Sequence, residues 1–169
     1  IAFNFTGKKE IKFHKVNNSY PFFKKIMNSI LLKIKLYHTY YYSLTEIKEA
    51  MPFLVTNSFD IIIANDIQTL PLVIRYKKNA KILFDAHEFA PKEHDSSLFW
   101  KFFFEKYYVY LCRKYIPQVD RMTTVSYQIK LEYEKIFNKD VSLLLNLPEA
   151  YTLDVPDHSS NINFKYVHH

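Results

Sequence analysis

Glycine is almost absent from this sequence. The 169 residues contain a single glycine, Gly7, where ordinary usage of ~7% would give about twelve. Glycine is the residue that most readily adopts positive φ angles. Either the backbone has no need of such angles, or the glycine-rich parts of the protein lie outside this chain.

Cysteine and long apolar runs are also scarce. The single cysteine, Cys112, excludes an internal disulfide and a cysteine-rich metal site, and it fits a reducing compartment. No run approaches the ~18 uncharged apolar residues of a membrane-spanning helix. The first residues lack the order of a signal peptide, and they begin without Met inside a strand-like run, 1–5. We therefore expect a cytoplasmic protein whose natural N-terminus lies upstream.

The net charge of +6 lies entirely in the first third of the chain. Residues 1–55 hold nine lysines and three acidic residues, whereas residues 56–169 hold equal numbers of basic and acidic residues. Such an asymmetry indicates an anionic partner for one face of the protein, such as a membrane surface, a phosphate group or a nucleic acid. Nucleic acid is the least expected of these, because no nucleic-acid-binding fold is recognisable and no stacking platform is interleaved with the basic residues.

Helical periodicity is clear in 22–37, where one face collects apolar residues, namely Phe23, Ile26, Ile30, Ile34 and Tyr37. Two interpretations of this lysine-rich helix remain open. It is either a peripheral contact with an anionic membrane, or a domain helix with its apolar face buried and its lysines in water.

Strands and helices alternate through the centre of the chain. We predict strands at 59–66, 80–87, 120–126 and 141–148, and helices at 43–55, 69–78, 96–116 and 127–137. This alternation predicts a Rossmann-like α/β fold, with a parallel sheet, right-handed crossovers and helices on both faces. The uninterrupted apolar runs of the first two strands predict that both of their faces are buried.

Each predicted strand ends in polar side chains. In parallel sheets, ligands bind outside the carboxyl ends of the strands, so these side chains are the candidate site residues. They are Asn65, Asp66, Asp85, His87, Glu88, Ser126 and Asn146.

Four segments together resemble the N-terminal half of a family-four retaining glycosyltransferase, which has the GT-B fold of two Rossmann-like domains. They are "FDIIIANDIQTLP" (59–71), "KILFDAHE" (81–88), "VDRMTTVSYQIKLEYEKIF" (119–137) and "LLLNLPE" (143–149). The resemblance implies an acceptor-side domain at 1–150 that lacks its first strand, a linker at 151–161, and the first strand of a donor-binding domain at 162–169. The chain would then be truncated at both ends.

The same resemblance implies an activity for the parent enzyme. It would transfer a sugar, with retention, from a nucleotide-sugar to a glycan or lipid-linked acceptor during bacterial surface polysaccharide synthesis. Its donor is a substrate, so no cofactor is expected, and this chain alone would be inactive.

The resemblance also implies a role for His87, and the chemistry of the other candidate residues indicates theirs. His87 would lie beside the transferred sugar, with Asp85 behind it as support, and Glu88 would face the acceptor. Asn65 and Asp66 would either line the cleft or cap the next helix. Ser126 would bind an anion or cap a helix, and Asn146 would bond across the cleft or shape the turn before the linker.

Two rival interpretations stay open from the residues alone. Asp85, His87 and Glu88 could serve a metal-dependent α/β enzyme, and His94 and Asp95 would add zinc-compatible ligands. Because their spacing follows no recognised pattern, we predict no metal site. The non-enzyme rival is a flavodoxin-like binding or scaffold domain.

Overall fold

The structure is a computed structural model that describes residues 20–146. The predictions for 1–5, 151–161 and 162–169 lie outside the described residues. Within them the helices are α1 (Phe22–Lys33), α2 (Tyr37–Ser43), α3 (Thr45–Thr56), α4 (Leu70–Tyr76), α5 (Leu98–Phe103), α6 (Glu105–Tyr115) and α7 (Tyr127–Phe137). The strands are β1 (Ile61–Ala64), β2 (Lys81–Ala86), β3 (Arg121–Thr124) and β4 (Ser142–Leu143). Short 3₁₀ turns lie at Ile67–Thr69, Ala90–Lys92 and Ile116–Gln118.

The four strands form one parallel sheet in the order β1-β2-β3-β4. In its register, Phe84 of β2 lies opposite Ala64 of β1 and Met122 of β3. Helix α4 connects β1 to β2, α5 and α6 connect β2 to β3, and α7 connects β3 to β4. The predicted α/β fold with a parallel sheet is therefore confirmed, and all four strands end at one edge.

Burial alternates along the strands, which corrects the prediction that β1 and β2 are buried on both faces. One face carries fully buried residues such as Ile62, Ile82 and Phe84. Residues between them are partly or largely exposed, and Ile61 is 47% exposed. Within residues 20–146 the sheet is thus closed on one face and accessible on the other. An apolar run cannot by itself reveal how many faces are covered.

Tyrosine rings fill much of the core beside the sheet. The ring centroid of Tyr107 in α6 lies 5.4 Å from that of Tyr37 and 5.1 Å from that of Tyr40, both in α2. Cys112, also in α6, is fully buried, and burial raises the pKa of its thiol. A buried thiol with a raised pKa is a packing residue and not a nucleophile.

Two predicted helices are each divided in two, which corrects their bounds. The helix predicted at 22–37 ends at Lys33, and Tyr37 belongs to α2. The helix predicted at 96–116 breaks at Phe104, between α5 and α6. Ser97 caps α5, because its hydroxyl accepts the N–H of Trp100 at 3.2 Å. Pro52 lies inside α3, which continues to Thr56, so this proline does not end the helix.

The end of α1 shows how this chain manages without glycine. The N–H of Leu36 bonds to the carbonyl of Leu31 at 2.9 Å, and the N–H of Lys35 bonds to that of Leu32 at 3.2 Å. This is a Schellman motif, and Lys35 occupies its left-handed position with a φ of 60°. Lys78 and Asn138 also have positive φ angles. The backbone does need positive φ, which corrects the first of the two explanations for the glycine shortage.

Asp120 ties the entry of β2 to the segment before β3. Its carboxylate accepts the N–H of Ile82 at 2.9 Å and the Nζ of Lys81 at 3.0 Å. The backbone hydrogen bond, followed by the Lys81 contact, lowers the pKa of Asp120.

No helix among residues 20–146 combines the length and hydrophobicity needed to cross a bilayer.

Replacing Lys35 with glycine should stabilise the fold. The left-handed conformation costs a residue with a Cβ about 1–2 kcal/mol. Glycine avoids this cost, but it loses more conformational entropy on folding, which offsets part of the gain. We expect Lys35→Gly to raise the free energy of unfolding by roughly 0.5–1 kcal/mol in urea denaturation. Lys35→Ala is the matched control, because it removes the same charge but keeps the strained Cβ. Equal stabilities for the two variants would contradict this explanation.

Candidate functional site at the carboxyl edge of the sheet

A cavity of about 200 Å³ lies where β1 and β2 end. Its lining includes four of the predicted site residues: Asn65, Asp66, His87 and Glu88. These come from the ends of two neighbouring strands, which are separated in sequence by α4 and β2. The parallel sheet therefore brings them together, as the carboxyl-edge argument predicts.

Asp85 connects His87 to the neighbouring strand. Asp85 lies opposite Thr123 in the sheet, and its Oδ1 accepts the Thr123 hydroxyl at 2.7 Å. Its Oδ2 lies 3.0 Å from Nε2 of His87. Residues two apart on an extended chain face the same side, so the spacing Asp-x-His makes this contact possible. The supporting contact expected of Asp85 is present.

This contact decides which ring nitrogen of His87 is free. A carboxylate only accepts hydrogen bonds, so Nε2 of His87 carries the proton that bonds to Asp85. In the neutral ring, Nδ1 then keeps its lone pair and can accept a proton or a hydrogen bond. The imidazole is about half exposed, so a ligand in the cavity can reach it.

Asp66 is the N-cap of the 3₁₀ turn that follows β1. Its Oδ1 accepts the N–H of Gln68 at 3.0 Å, and its carbonyl accepts the hydroxyl of Thr69 at 2.7 Å. The capping role left open for Asp66 is therefore present, and the same residue still lines the cavity. A cap at a strand end can serve both purposes, because only one carboxylate oxygen is used by the turn.

Tyr133 of α7 holds the loop that carries His87 and Glu88. Its hydroxyl donates to the carbonyl of Glu88 at 2.9 Å and accepts the N–H of Ala90 at 3.0 Å. Its ring lies edge-on to Phe89 with centroids 5.0 Å apart. Tyr133 is fully buried, and burial raises the pKa of its hydroxyl.

Sequence reasoning missed Tyr133 as part of the site. The spacing of Ile129, Tyr133 and Phe137 indicates the inward face of a helix. That pattern contains no information about the loop 45 residues away in sequence whose backbone the hydroxyl contacts. Only the packing of α7 across the end of β2 makes the connection.

Glu93 is a second residue that sequence reasoning missed. It lines the cavity with Asp66 and Glu88, and all three side chains are carboxylates. Desolvation, followed by the negative charges of Asp66 and Glu88, raises the pKa of Glu93. Glu88 and Glu93 also line an adjoining groove of about 550 Å³ against α7. The cavity and groove therefore meet at an acidic boundary.

Ser126 and Asn146 lie outside this cavity and its groove. Ser126 is the N-cap residue of α7, but its side chain makes no capping hydrogen bond. Asn146 is exposed beyond the short strand β4. The structure thus separates these two predicted site residues from the four that converge.

The proposed ligands of a metal centre do not converge. Among residues 20–146, no three His, Cys, Asp or Glu side chains are arranged to hold a metal ion. Nε2 of His94 lies 3.5 Å from Oε1 of Glu93, and Oδ1 of Asp95 lies 2.6 Å from Nζ of Lys101. His94 and Asp95 therefore make contacts with other residues and not with His87.

Comparison with known proteins adds no relative. No protein-family model matches the chain, and neither the curated proteins nor the solved structures contain a significant match.

Removing the Tyr133 hydroxyl should destabilise the protein. Tyr133→Phe leaves the N–H of Ala90 and the carbonyl of Glu88 without a partner in a buried place, which costs about 1–3 kcal/mol. We expect this loss in the free energy of unfolding measured by urea denaturation. Tyr127→Phe on the same helix, where the ring is exposed, should change stability by less than about 0.5 kcal/mol. Equal effects of the two variants would contradict the assigned role.

The raised pKa of Glu93 predicts a pH-dependent stability. The folded state holds the Glu93 proton more tightly than the unfolded chain does, so the resulting stabilisation is complete below the ordinary value of 4.5. It is lost as the pH rises through the higher folded-state pKa. Glu93→Gln should therefore be more stable than the wild type near neutral pH, and this advantage should shrink below pH 4.5. A difference between the two proteins that does not change with pH would contradict the assignment.

Proposed function

We propose that this chain is the acceptor-side part of a retaining GT-B glycosyltransferase. The observation that carries the proposal is the Asp85–His87 pair, held at the carboxyl edge of a Rossmann-like sheet and open to a cavity. It is supported by the order of the sequence segments that resemble family-four enzymes. The parent enzyme transfers a sugar from a nucleotide-sugar donor to a glycan or lipid-linked acceptor with retention, in bacterial surface polysaccharide synthesis.

His87 supplies the polar contact to the reacting sugar. Its Nε2 is committed to Asp85, so Nδ1 is the atom available to a sugar hydroxyl. When the ring is protonated, Nδ1 donates and can stabilise negative charge that develops on a leaving phosphate oxygen. Asp85 acts through His87 by orienting the ring and by balancing its positive charge.

The acidic lining of the cavity favours an acceptor over a donor phosphate. Asp66, Glu88 and Glu93 all present carboxylates to the cavity or its edge. Carboxylates repel phosphate groups and accept hydrogen bonds from hydroxyls. We therefore assign the hydroxyl-rich acceptor to this half of the cleft, with Glu88 facing it, and we assign most of the donor contacts to a second domain.

The cellular setting follows from these substrates. Nucleotide-sugars are used in the cytoplasm, and we propose that the parent enzyme works there, at the inner face of the membrane when its acceptor is lipid-linked. Its partners are the donor, the acceptor and the C-terminal domain of the same protein, without a nucleic acid. A metal-dependent reaction through Asp85, His87 and Glu88 is the weaker candidate, because the three do not form a metal-binding group.

Substitution of His87 in the complete parent enzyme tests this assignment. His87→Ala should lower kcat about 100-fold or more, as expected when a donor to a developing charge is lost. His38→Ala is the matched control, because His38 is exposed on α2 and lies outside the cavity lining, and it should leave kcat nearly unchanged. Turnover measured with radiolabelled nucleotide-sugars would show the difference, and equal kcat values would remove His87 from the site.

The same assay tests whether Asp85 acts through His87. Asp85→Asn should lower kcat in the wild-type background but add little to His87→Ala, because two residues that act as one unit are non-additive. A full additional loss in the double variant would assign Asp85 a separate, structural effect.

NMR of the product would show whether the anomeric configuration is retained, and inversion would contradict the family assignment.

A further inference from the structure

Helix α1 presents its apolar side to the solvent. Lys24 donates to the Thr45 hydroxyl at 2.9 Å, and Leu32 is buried against the rest of the protein. On the other side, Phe22 is 79% exposed and Phe23 is 73% exposed. The remaining apolar residues of this side are also exposed, namely Ile26, Met27, Ile30 and Ile34. This is the reverse of a domain helix with a buried apolar face, so that interpretation of residues 22–37 is wrong.

Helix α5 adds a second group of exposed apolar side chains. Leu98 is 83% exposed and Phe99 is 64% exposed, and Phe102 is equally exposed. The two helices are joined by Lys33 of α1, whose Nζ donates to the carbonyl of Phe102 at 2.8 Å and lies over its ring. We call the exposed apolar residues of α1 and α5, with the lysines among them, the basic-apolar surface.

The positive charge of this surface comes from α1. Residues 20–44 contain four lysines and no acidic residue, whereas Lys101, the one lysine of α5, is paired with Asp95. Lys25, Lys33 and Lys35 are exposed beside the apolar side chains of α1. A long lysine side chain can lay its methylenes on apolar neighbours and extend its ammonium group outward.

This combination fits a lipid surface better than a protein partner. Exposed contiguous apolar groups mark an interaction site, because water solvates them poorly. Protein interfaces are depleted in lysine, whereas helices that lie in a bilayer interface combine lysine with Phe, Leu and Ile. Anionic headgroups would neutralise the lysines while the apolar side chains enter the acyl boundary.

We propose that α1 and α5 together dock the protein onto the surface of an anionic lipid bilayer. The proposal goes beyond a contact through residues 22–37, because it includes α5, more than 60 residues further along the chain. It does not depend on sugar transfer at His87, since it rests on exposure and charge at the basic-apolar surface alone. The helices lie on the bilayer without crossing it.

Co-sedimentation of the full chain with lipid vesicles tests the proposal. We expect binding to vesicles of phosphatidylglycerol and phosphatidylcholine, and binding at least about tenfold weaker to pure phosphatidylcholine. High salt should weaken the anionic binding through screening. Absence of binding to the mixed vesicles, or equal binding to both kinds, would overturn the proposal.

Variants on each helix separate the two contributions. Phe23→Asp on α1 and Phe99→Asp on α5 should each weaken binding about tenfold or more, because each removes an inserted ring and adds a repelled charge. Ile136→Asp is the matched control, since Ile136 is 48% exposed on α7, which packs against β3 and β4. Its binding should equal that of the wild type.

Two further outcomes would count against the proposal. Unchanged binding of Phe99→Asp would remove α5 from the docking surface. A dimer in sedimentation velocity that Phe23→Asp dissociates, without vesicle binding by the wild type, would assign the surface to a second copy of the chain. Circular dichroism of every variant confirms that the exposed substitutions leave the fold intact.

Discussion

The hydroxyl of Tyr133 is the contact on which the geometry of the strand edge depends. It bonds to both the carbonyl of Glu88 and the N–H of Ala90, and so satisfies two backbone groups between the end of β2 and the short 3₁₀ turn that follows it. The ring packs against Phe84 of β2 and Phe89 of the loop. The loop that places His87 and Glu88 is therefore held by α7, which lies about 40 residues further along the sequence. A backbone held in this way can present side chains without needing a glycine.

The sheet supplies the second constraint. Cross-strand pairing sets Asp85 beside Thr123, and His87, just after the end of β2, contacts the Asp85 carboxylate. The imidazole is thus oriented from the sheet, while the position of its loop is set from α7. Two independent supports on one side chain are what a preorganised polar site requires. The carboxylates of Asp66, Glu88 and Glu93 then give the cavity a negative lining, although the chain as a whole is basic.

The lysines of the N-terminal third and the exposed apolar side chains lie together on the surface of α1 and α5. Helix α1 packs through Lys24, Asn28 and Leu32, and it leaves phenylalanines in water. Helix α5 does the same with Leu98, Phe99 and Phe102 while burying Trp100. The acidic cavity and the basic-apolar surface are separate in composition and are formed by different elements. The proposed acceptor site and the proposed bilayer contact would therefore not compete for the same residues.

The sequence by itself determined the α/β class, the four strand positions and the bounds of α7, because hydrophobic periodicity and strand-helix alternation are local properties. It also identified the residues at the strand ends, since a parallel sheet must gather them at one edge. Tertiary structure alone decided which of them converge: Asn65, Asp66, His87 and Glu88 share a cavity, whereas Ser126 and Asn146 do not. It likewise decided that the apolar side of α1 faces outward. A helical pattern contains the relative positions of side chains but not the direction of the core, and that direction is set by contacts between residues far apart in the chain.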